Sequence, residues 1–179
     1  MDVVKAPDQR LRIKTKPVKK ITPLLIELCK AMIKKTKDFK DPEGVGLAAT
    51  QIGKDEQFFV ALIGTAQDKN RTEDFKIFIN PKILSYGKKT KIFFEGCLSV
   101  PDYYGEVERP TTIKVSYLND RGAKITEDLE GSDAWFFQHE FDHLQGKLFI
   151  DYVLAQKSRL FKAVGKDRAG ADIFEEVGL

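Results

Sequence analysis

The sequence predicts an α+β fold, with mostly antiparallel sheets packed around a central helix and a further helix towards the C-terminus. Three observations carry this prediction. An amphipathic helical pattern occupies "TPLLIELCKAMIKKTK" near the N-terminus, short apolar runs bounded by turn residues fill the middle of the chain, and helical patterning returns at "SDAWFFQHEFDHLQG". Helix, then strands, then helices is the order of a segregated architecture, whereas a doubly wound sheet alternates strand and helix throughout.

In the first helix Thr22 can cap the N-terminus and Pro23 suits the first helical position. Leu24, Leu25, Leu28 and Met32 are expected on its apolar face. Cys29 lies inside the same stretch and reads as core, the usual place of a free thiol. Residues 41–53, "DPEGVGLAATQIG", form a glycine-punctuated loop. "QFFVALIG" and "FKIFINP" are strand-like runs, and "PKILSYG" and "KTKIFFEGCLSVP" surround a turn near Gly87. "TTIKVSYLN" and "AKITEDLEG" flank "DRG", a hairpin pattern. The next helix has Ser132 as candidate cap and Gly146 as stop, and "LAQKSRLFKAVG" reads as a last amphipathic helix. No repeat, low-complexity segment or linker divides the chain. Residues 1–179 therefore read as one domain, with 165–179 as a tail that carries no motif.

Composition narrows the function classes. Hydrophobic residues make up 42% and charged residues 32%, the profile of a soluble globular domain. Thirty basic residues against 27 acidic ones give a net charge of +3, too balanced to argue for a nucleic-acid site. No apolar run approaches membrane-spanning length, and "MDVVKAPDQRLR" lacks the apolar core of a signal peptide. Two cysteines in the whole chain fit a reducing compartment, so the expected location is the cytoplasm. Nothing in the pattern signals oligomerisation, and a monomer is expected.

The chain has only two histidines, and both lie in "QHEFDHLQG" at His139 and His143, bracketing Glu140. Residues four apart on a helix share a face, with about 5–6 Å between Cβ atoms, so two imidazoles can point at one metal ion. Glu140 then stands beside the site, where it can take a proton from a water held there. This HExxH arrangement reads as metal-assisted hydrolysis. Such a metal keeps three protein ligands and an open position. Downstream of His143 there is no histidine and no acid that announces itself, so Cys97, in "EGCLSVP", is the better third candidate. Taken alone, Cys97 would read as core. "GVGLAATQ" lacks the Lys-Ser/Thr end of a P-loop and the spacing of a dinucleotide fingerprint. It is either a tight turn or a loop that lets a substrate backbone come close, with Gln51 offering an amide donor.

Three separated blocks, "GVGLAATQ" (44–51), "EGCLS" (95–99) and "QHEFDH" (138–143), resemble the three signature motifs of the peptide deformylases in order and spacing. The resemblance runs from "KAPDQRLR" to about "LFIDYV" and is nearer to the type 1 branch. It implies one catalytic domain in which Cys97, His139 and His143 hold the metal and water is the fourth ligand. The metal it implies is Fe2+, with Zn2+, Ni2+ or Co2+ as substitutes. Glu140 would act as general base and then general acid. The Gln51 side-chain amide and the Leu98 backbone N–H would steady the oxyanion. The implied substrates are nascent chains that begin with N-formylmethionine, the products are formate and a free amino terminus, and the ribosome is a further candidate partner.

The resemblance also implies a substrate groove in which the peptide lies between the loop at Val45 and Gly46 and the segment at Gly96. The methionine pocket would draw on Phe93, Ser132, Trp135 and Phe136. Trp135 and Phe136 stand where many relatives carry aliphatic residues, and either wall the pocket or pack in the core. Tyr104 stands where some type 1 relatives place an arginine. Phe137, Phe141 and Leu144 lie on the opposite helix face and read as core. Glu95 and Arg109 are candidates for an ion pair behind the cysteine loop, and Asp142 for orienting a ligand histidine. Two other readings compete. A zinc metallopeptidase would need a third ligand after His143. A non-catalytic peptide- or metal-binding module would more naturally have lost Glu140 or Gln51.

Overall fold

The computed structural model describes residues 1–39, 43–64 and 74–178. Asp41 and Pro42 of the glycine-punctuated loop, and Leu179 of the tail, lie outside the described residues. Helix α1 spans Pro23–Asp38, with the Thr22 side chain accepting the Leu25 N–H and Pro23 at the start, as the sequence predicts. Its buried face is Leu25, Cys29, Met32 and Thr36. Leu28 packs at the margin of this face. Leu24 is 79% exposed, a departure from its expected place. It sits in the first turn, one position off the buried i, i+4, i+7 stripe of Leu25, Cys29 and Met32.

Two antiparallel sheets frame the molecule. The first has the order β1-β2-β3-β6-β7, from Gly46–Ala48, Phe58–Ile63, Asp74–Tyr86, Thr112–Leu118 and Lys124–Glu130. The predicted hairpin around "DRG" is the β6–β7 pair, in register from Thr112↔Glu130 to Leu118↔Lys124. "FKIFINP" and "PKILSYG" join into one strand, β3, which carries a register shift between Ile79 and Lys82. Asn80 adopts φ 49 there and clamps the Val18 backbone, accepting its N–H at 2.7 Å and donating to its carbonyl at 2.9 Å. The bulge is what lets Pro81, which has no N–H to give a ladder, stand inside a long strand.

The second sheet has the order β4-β5-β8-β9, from Thr90–Cys97, Val100–Pro110, Leu160–Lys166 and Asp172–Val177. Two helices follow β7. Helix α2, Gly131–Leu144, carries both histidines, and α3 spans Phe149–Gln156. Ser132 does not cap α2. The strand runs directly into the helix with Glu130 at the cap position, extended and without a side-chain cap bond. The last amphipathic stretch is also corrected. Lys157, at φ 53, ends α3, and Leu160 onwards forms strand β8 rather than helix. The open edge of β5 accepts it, Tyr104 facing Phe161 and Gly105 facing Leu160. Tertiary pairing overrides the helical spacing of a short apolar run.

One core fills the space between the first sheet, α1 and α2. Phe59, Phe78 and Phe137 meet there with ring centroids 4.8–5.2 Å apart. Phe137 and Leu144 are fully buried and Phe141 packs against the same cluster, as expected. A smaller core joins the N-terminal arm, β5 and α3 through Leu11, Val107, Phe149 and Val153. The end of β4 and one face of α2 meet between the two sheets, and the buried polar residues Gln51, Glu95, Ser99, Glu140 and His143 collect at that seam.

Candidate metal centre

Three segments converge at the seam. The "GVGLAATQ" loop becomes strand β1 followed by a tight 3-10 turn, Ala49–Ile52, and β1 pairs with β2 at the end of the first sheet. A Cβ at Gly46 would lie 2.3 Å from Glu140 Oε1, so only glycine lets this strand lie directly on the acid of α2. Strand β4 ends at Cys97, and the chain turns through Leu98 and Ser99 into β5. Helix α2 supplies His139, Glu140 and His143.

Cys97, His139 and His143 each offer one ligand atom, and the three atoms lie within 4.8 Å of one another. Cys97 Sγ is 3.3 Å from His143 Nε2. His139 Nδ1 is 2.9 Å from Glu95 Oε2, which leaves its other nitrogen to face the centre. Burial draws the His139 pKa down, but Cys97 and Glu95 outweigh it and leave the ring above its ordinary value. His143 is held below its ordinary value, first by burial and then by His139 and the nearby arginines. Burial pushes the Glu140 carboxyl up to about 7, with His139 opposing and Glu95 reinforcing. One thiol and two imidazoles are a donor set suited to a divalent transition metal. Glu140 Oε2 is buried and has no hydrogen-bond partner, as fits an acid aimed at something bound at the centre. The residues present therefore fit a metal.

Behind Cys97 and the two histidines stands a buried ionic network. Arg109 pairs with Glu95 through Nε and, at 3.1 Å, through Nη2, and its Nη1 reaches Asp142 Oδ2 at 2.7 Å. Tyr152 donates to Asp142 at 3.0 Å. The expected Glu95–Arg109 pair is present. The expected contact of Asp142 with a histidine is not. Asp142 lies on the helix side that faces Arg109 and α3, whereas Glu95 on the adjacent strand faces His139.

Gln51 is buried with its Oε1 accepting the Ala48 N–H at 2.8 Å. Its Nε2 is thereby turned towards Ser99 Oγ at 3.1 Å and Cys97 Sγ at 3.5 Å. A cavity opens over the centre. Val45, Gly46 and Gln51 line one side of it, and Gly96, Cys97, Leu98 and Tyr104 another. Trp135, Phe136, His139 and Glu140 of α2 close the third. Two expected pocket residues do not reach it. Phe93 shares a strand face with Glu95 and Cys97, and stacks behind Trp135 at 4.8 Å. Ser132 lies in the first turn of α2, beyond the rim. Phe94, just outside the "EGCLS" block, lines the cavity, and Ser99, the last residue of that block, meets Gln51; the sequence reading singles out neither. Strand alternation is the signal for Phe94, two residues before Gly96 and so on its face.

The polypeptide deformylase family model matches residues 1–159. A peptide deformylase of Mesorhizobium japonicum is 42% identical over 168 residues, covering 91% of this chain and 92% of that protein. The crystal structure of a peptide deformylase from Thermotoga maritima is similar with a TM-score of 0.74 and 41% identity, over 84% of this chain and 95% of that one. A Met-Ala-Ser-bound class I type b peptide deformylase of Acinetobacter baumannii has a TM-score of 0.75 at 30% identity, over 85% of this chain and 97% of that one. With its three motif blocks brought together around one cysteine and two histidines, the chain belongs to the polypeptide deformylase family.

Proposed function

We propose that this protein hydrolyses the N-formyl group of N-formylmethionyl nascent polypeptides and releases formate. The observation that carries this reading is the convergence of Cys97, His139 and His143 from a strand end and a helix, with Glu140 buried beside them. A divalent metal held by those three residues would supply a Lewis acid that polarises the formyl carbonyl and makes water a better nucleophile near neutral pH. Fe2+ is our proposed metal, with Zn2+, Ni2+ or Co2+ able to substitute. Glu140 takes the proton of the attacking water and returns it to the leaving amine. Its high pKa suits both halves of that task.

The Gln51 Nε2 and the Leu98 N–H act as donors to the developing oxyanion. One such donor is worth about 3 kcal/mol of barrier. Glu95 fixes the His139 ring, and Arg109 fixes Glu95. Val45, Gly46 and Gly96 bracket the extended substrate, and Trp135 and Phe136 form the apolar wall for the methionine side chain. We read residues 1–179 as one catalytic domain that works as a cytoplasmic monomer on chains leaving the ribosome. The test is formate release from formyl-Met-Ala-Ser with the ferrous protein under nitrogen. Turnover is expected, and a metal-loaded, folded protein without turnover would overturn the reading.

A further inference from the structure

The terminal hairpin β8–β9 lies beyond the stretch that the family model matches. It nevertheless touches the site. Phe94 and Tyr104, both lining the metal cavity, stack on each other at 5.5 Å with an interplanar angle of 6°. Phe174 of β9 meets Tyr104 edge-on at 5.0 Å and Phe94 at 5.2 Å, and Phe161 of β8 meets Phe94 at 5.5 Å. The register puts all four on one sheet face, since Tyr104 faces Phe161 and Ala163 faces Phe174. Phe94 is 41% and Phe174 37% exposed, so this is an accessible platform and not a core. Gly96 keeps the floor low between cavity and platform, because a Cβ there would lie 2.6 Å from the Tyr104 ring. Beyond Tyr104 the hairpin also walls a second cavity of about 350 Å³, which shares Cys97, Leu98 and Tyr104 with the first.

We infer that the β8–β9 hairpin forms a subsite of this enzyme that takes a large apolar or aromatic side chain two or three residues into the formylated peptide. This rests on the deformylase reading and adds to it a preference set outside the matched region. The occupant follows from continuity. A peptide whose first residue occupies the metal cavity and whose chain lies over Gly96 meets the Phe94–Tyr104 stack within one or two residues, at about 3.3 Å per residue. Aromatic faces and edges at 5 Å spacing leave a surface onto which a further ring packs in stacked or edge-on geometry.

The test compares formyl-Met-Ala-Ser with peptides carrying Phe at the second or third position, in kcat/KM with the nickel-loaded protein. The Kd of the deformylated products is read by calorimetry in parallel. At least one Phe peptide is expected to be favoured about three- to tenfold in both readouts. Phe174→Ala is expected to bring the ratio close to one, whereas Ile173→Ala, on the other face of the same strand, keeps it. A wild-type ratio near one, or a ratio unchanged in Phe174→Ala, would overturn the subsite. So would a wild-type dimer that Phe174→Ala converts to monomer in sedimentation, which would assign the platform to a second copy. Absence of turnover on every formyl peptide would instead count against the deformylase reading, and the calorimetric ratio would still decide the subsite.

Discussion

Arg109 is the residue whose removal should reveal most about how the site is held. It is 3% exposed and is the cation between two buried carboxylates, Glu95 and Asp142. Consider Arg109→Met, which keeps the apolar stem and removes the charge. Burial on its own would raise the Glu95 pKa, but His139 and Arg109 overcome it and hold the carboxyl at about 2 against an ordinary 4.5. That depression corresponds to about 3 kcal/mol of preference for the charged, folded form. Loss of the Asp142 pair adds to it, and breaking one side of a buried ion pair typically costs about 3–5 kcal/mol. The expected loss at neutral pH is therefore about 3–5 kcal/mol. Arg109→Lys should recover only part of it, because an ammonium cannot fork between two carboxylates.

The pH dependence distinguishes this account from a simple packing defect. In the wild type the folded Glu95 pKa lies below its unfolded value. Its contribution is present above about 4.5 and is lost as pH falls towards about 2. In Arg109→Met the guanidinium's charge and hydrogen bonds are gone and only the His139 contact still opposes burial, so the folded pKa rises. Acidification then costs the variant less than the wild type. Its deficit should be largest at pH 7.5 and shrink by up to about 1.4 kcal/mol per pH unit on acidification. Equilibrium urea unfolding of the nickel-loaded proteins at pH 7.5 and 5.5 measures both quantities. A deficit under about 1 kcal/mol at pH 7.5, or one of equal size at both pH values, would refute the reasoning.

Three further outcomes follow from the site. Cys97→Ala should retain less than a tenth of the bound metal, read by elemental analysis after desalting, and full occupancy would break the three-ligand assignment. Glu140→Gln should keep its metal while turnover falls by about 10²–10⁴, and a loss of metal would make Glu140 a ligand instead. Trp135→Leu should raise the relative kcat/KM for formyl-Phe peptides over formyl-Met peptides by about tenfold, since it removes one aromatic wall of the cavity. Unchanged ratios would return Trp135 to a packing role against Phe93.

Much of the fold was legible because local pattern and final structure agree. Thr22-Pro23 starts α1, and "DRG" turns β6 into β7. Misreadings occur where a distant partner decides. Leu160–Lys166 has apolar spacing that suits either a helix or a strand, and the unpaired edge of β5 settles it. Phe75–Tyr86 reads as two runs around Pro81. A contact with Val18, 62 residues away, holds the bulge that makes them one strand. Ser132 has the chemistry of a cap, but the helix starts at Gly131 with Glu130 at the cap, two residues too early for Ser132 to serve.

The site shows the same division more sharply. The proposed metal ligation is written in residue type and spacing, since two imidazoles four apart on a helix and a thiol in a turn have few other uses together. What orients the ligands is not written that way. Glu95 and Asp142 are both acids next to motif residues, and either suits the task of holding a histidine. Only the packing angle of β4 on α2 separates them, placing Glu95 Oε2 2.9 Å from His139 Nδ1 and Asp142 against Arg109 and Tyr152. The arrangement has a mechanical consequence. Arg109 makes no hydrogen bond to Cys97, His139 or His143, yet it grips Glu95, which grips His139, and also Asp142, which lies one residue before His143. One guanidinium thus ties the cysteine strand to the histidine helix. The two halves of the donor set hold their spacing through charge pairs in a low-dielectric seam, where such bonds are both strong and directional.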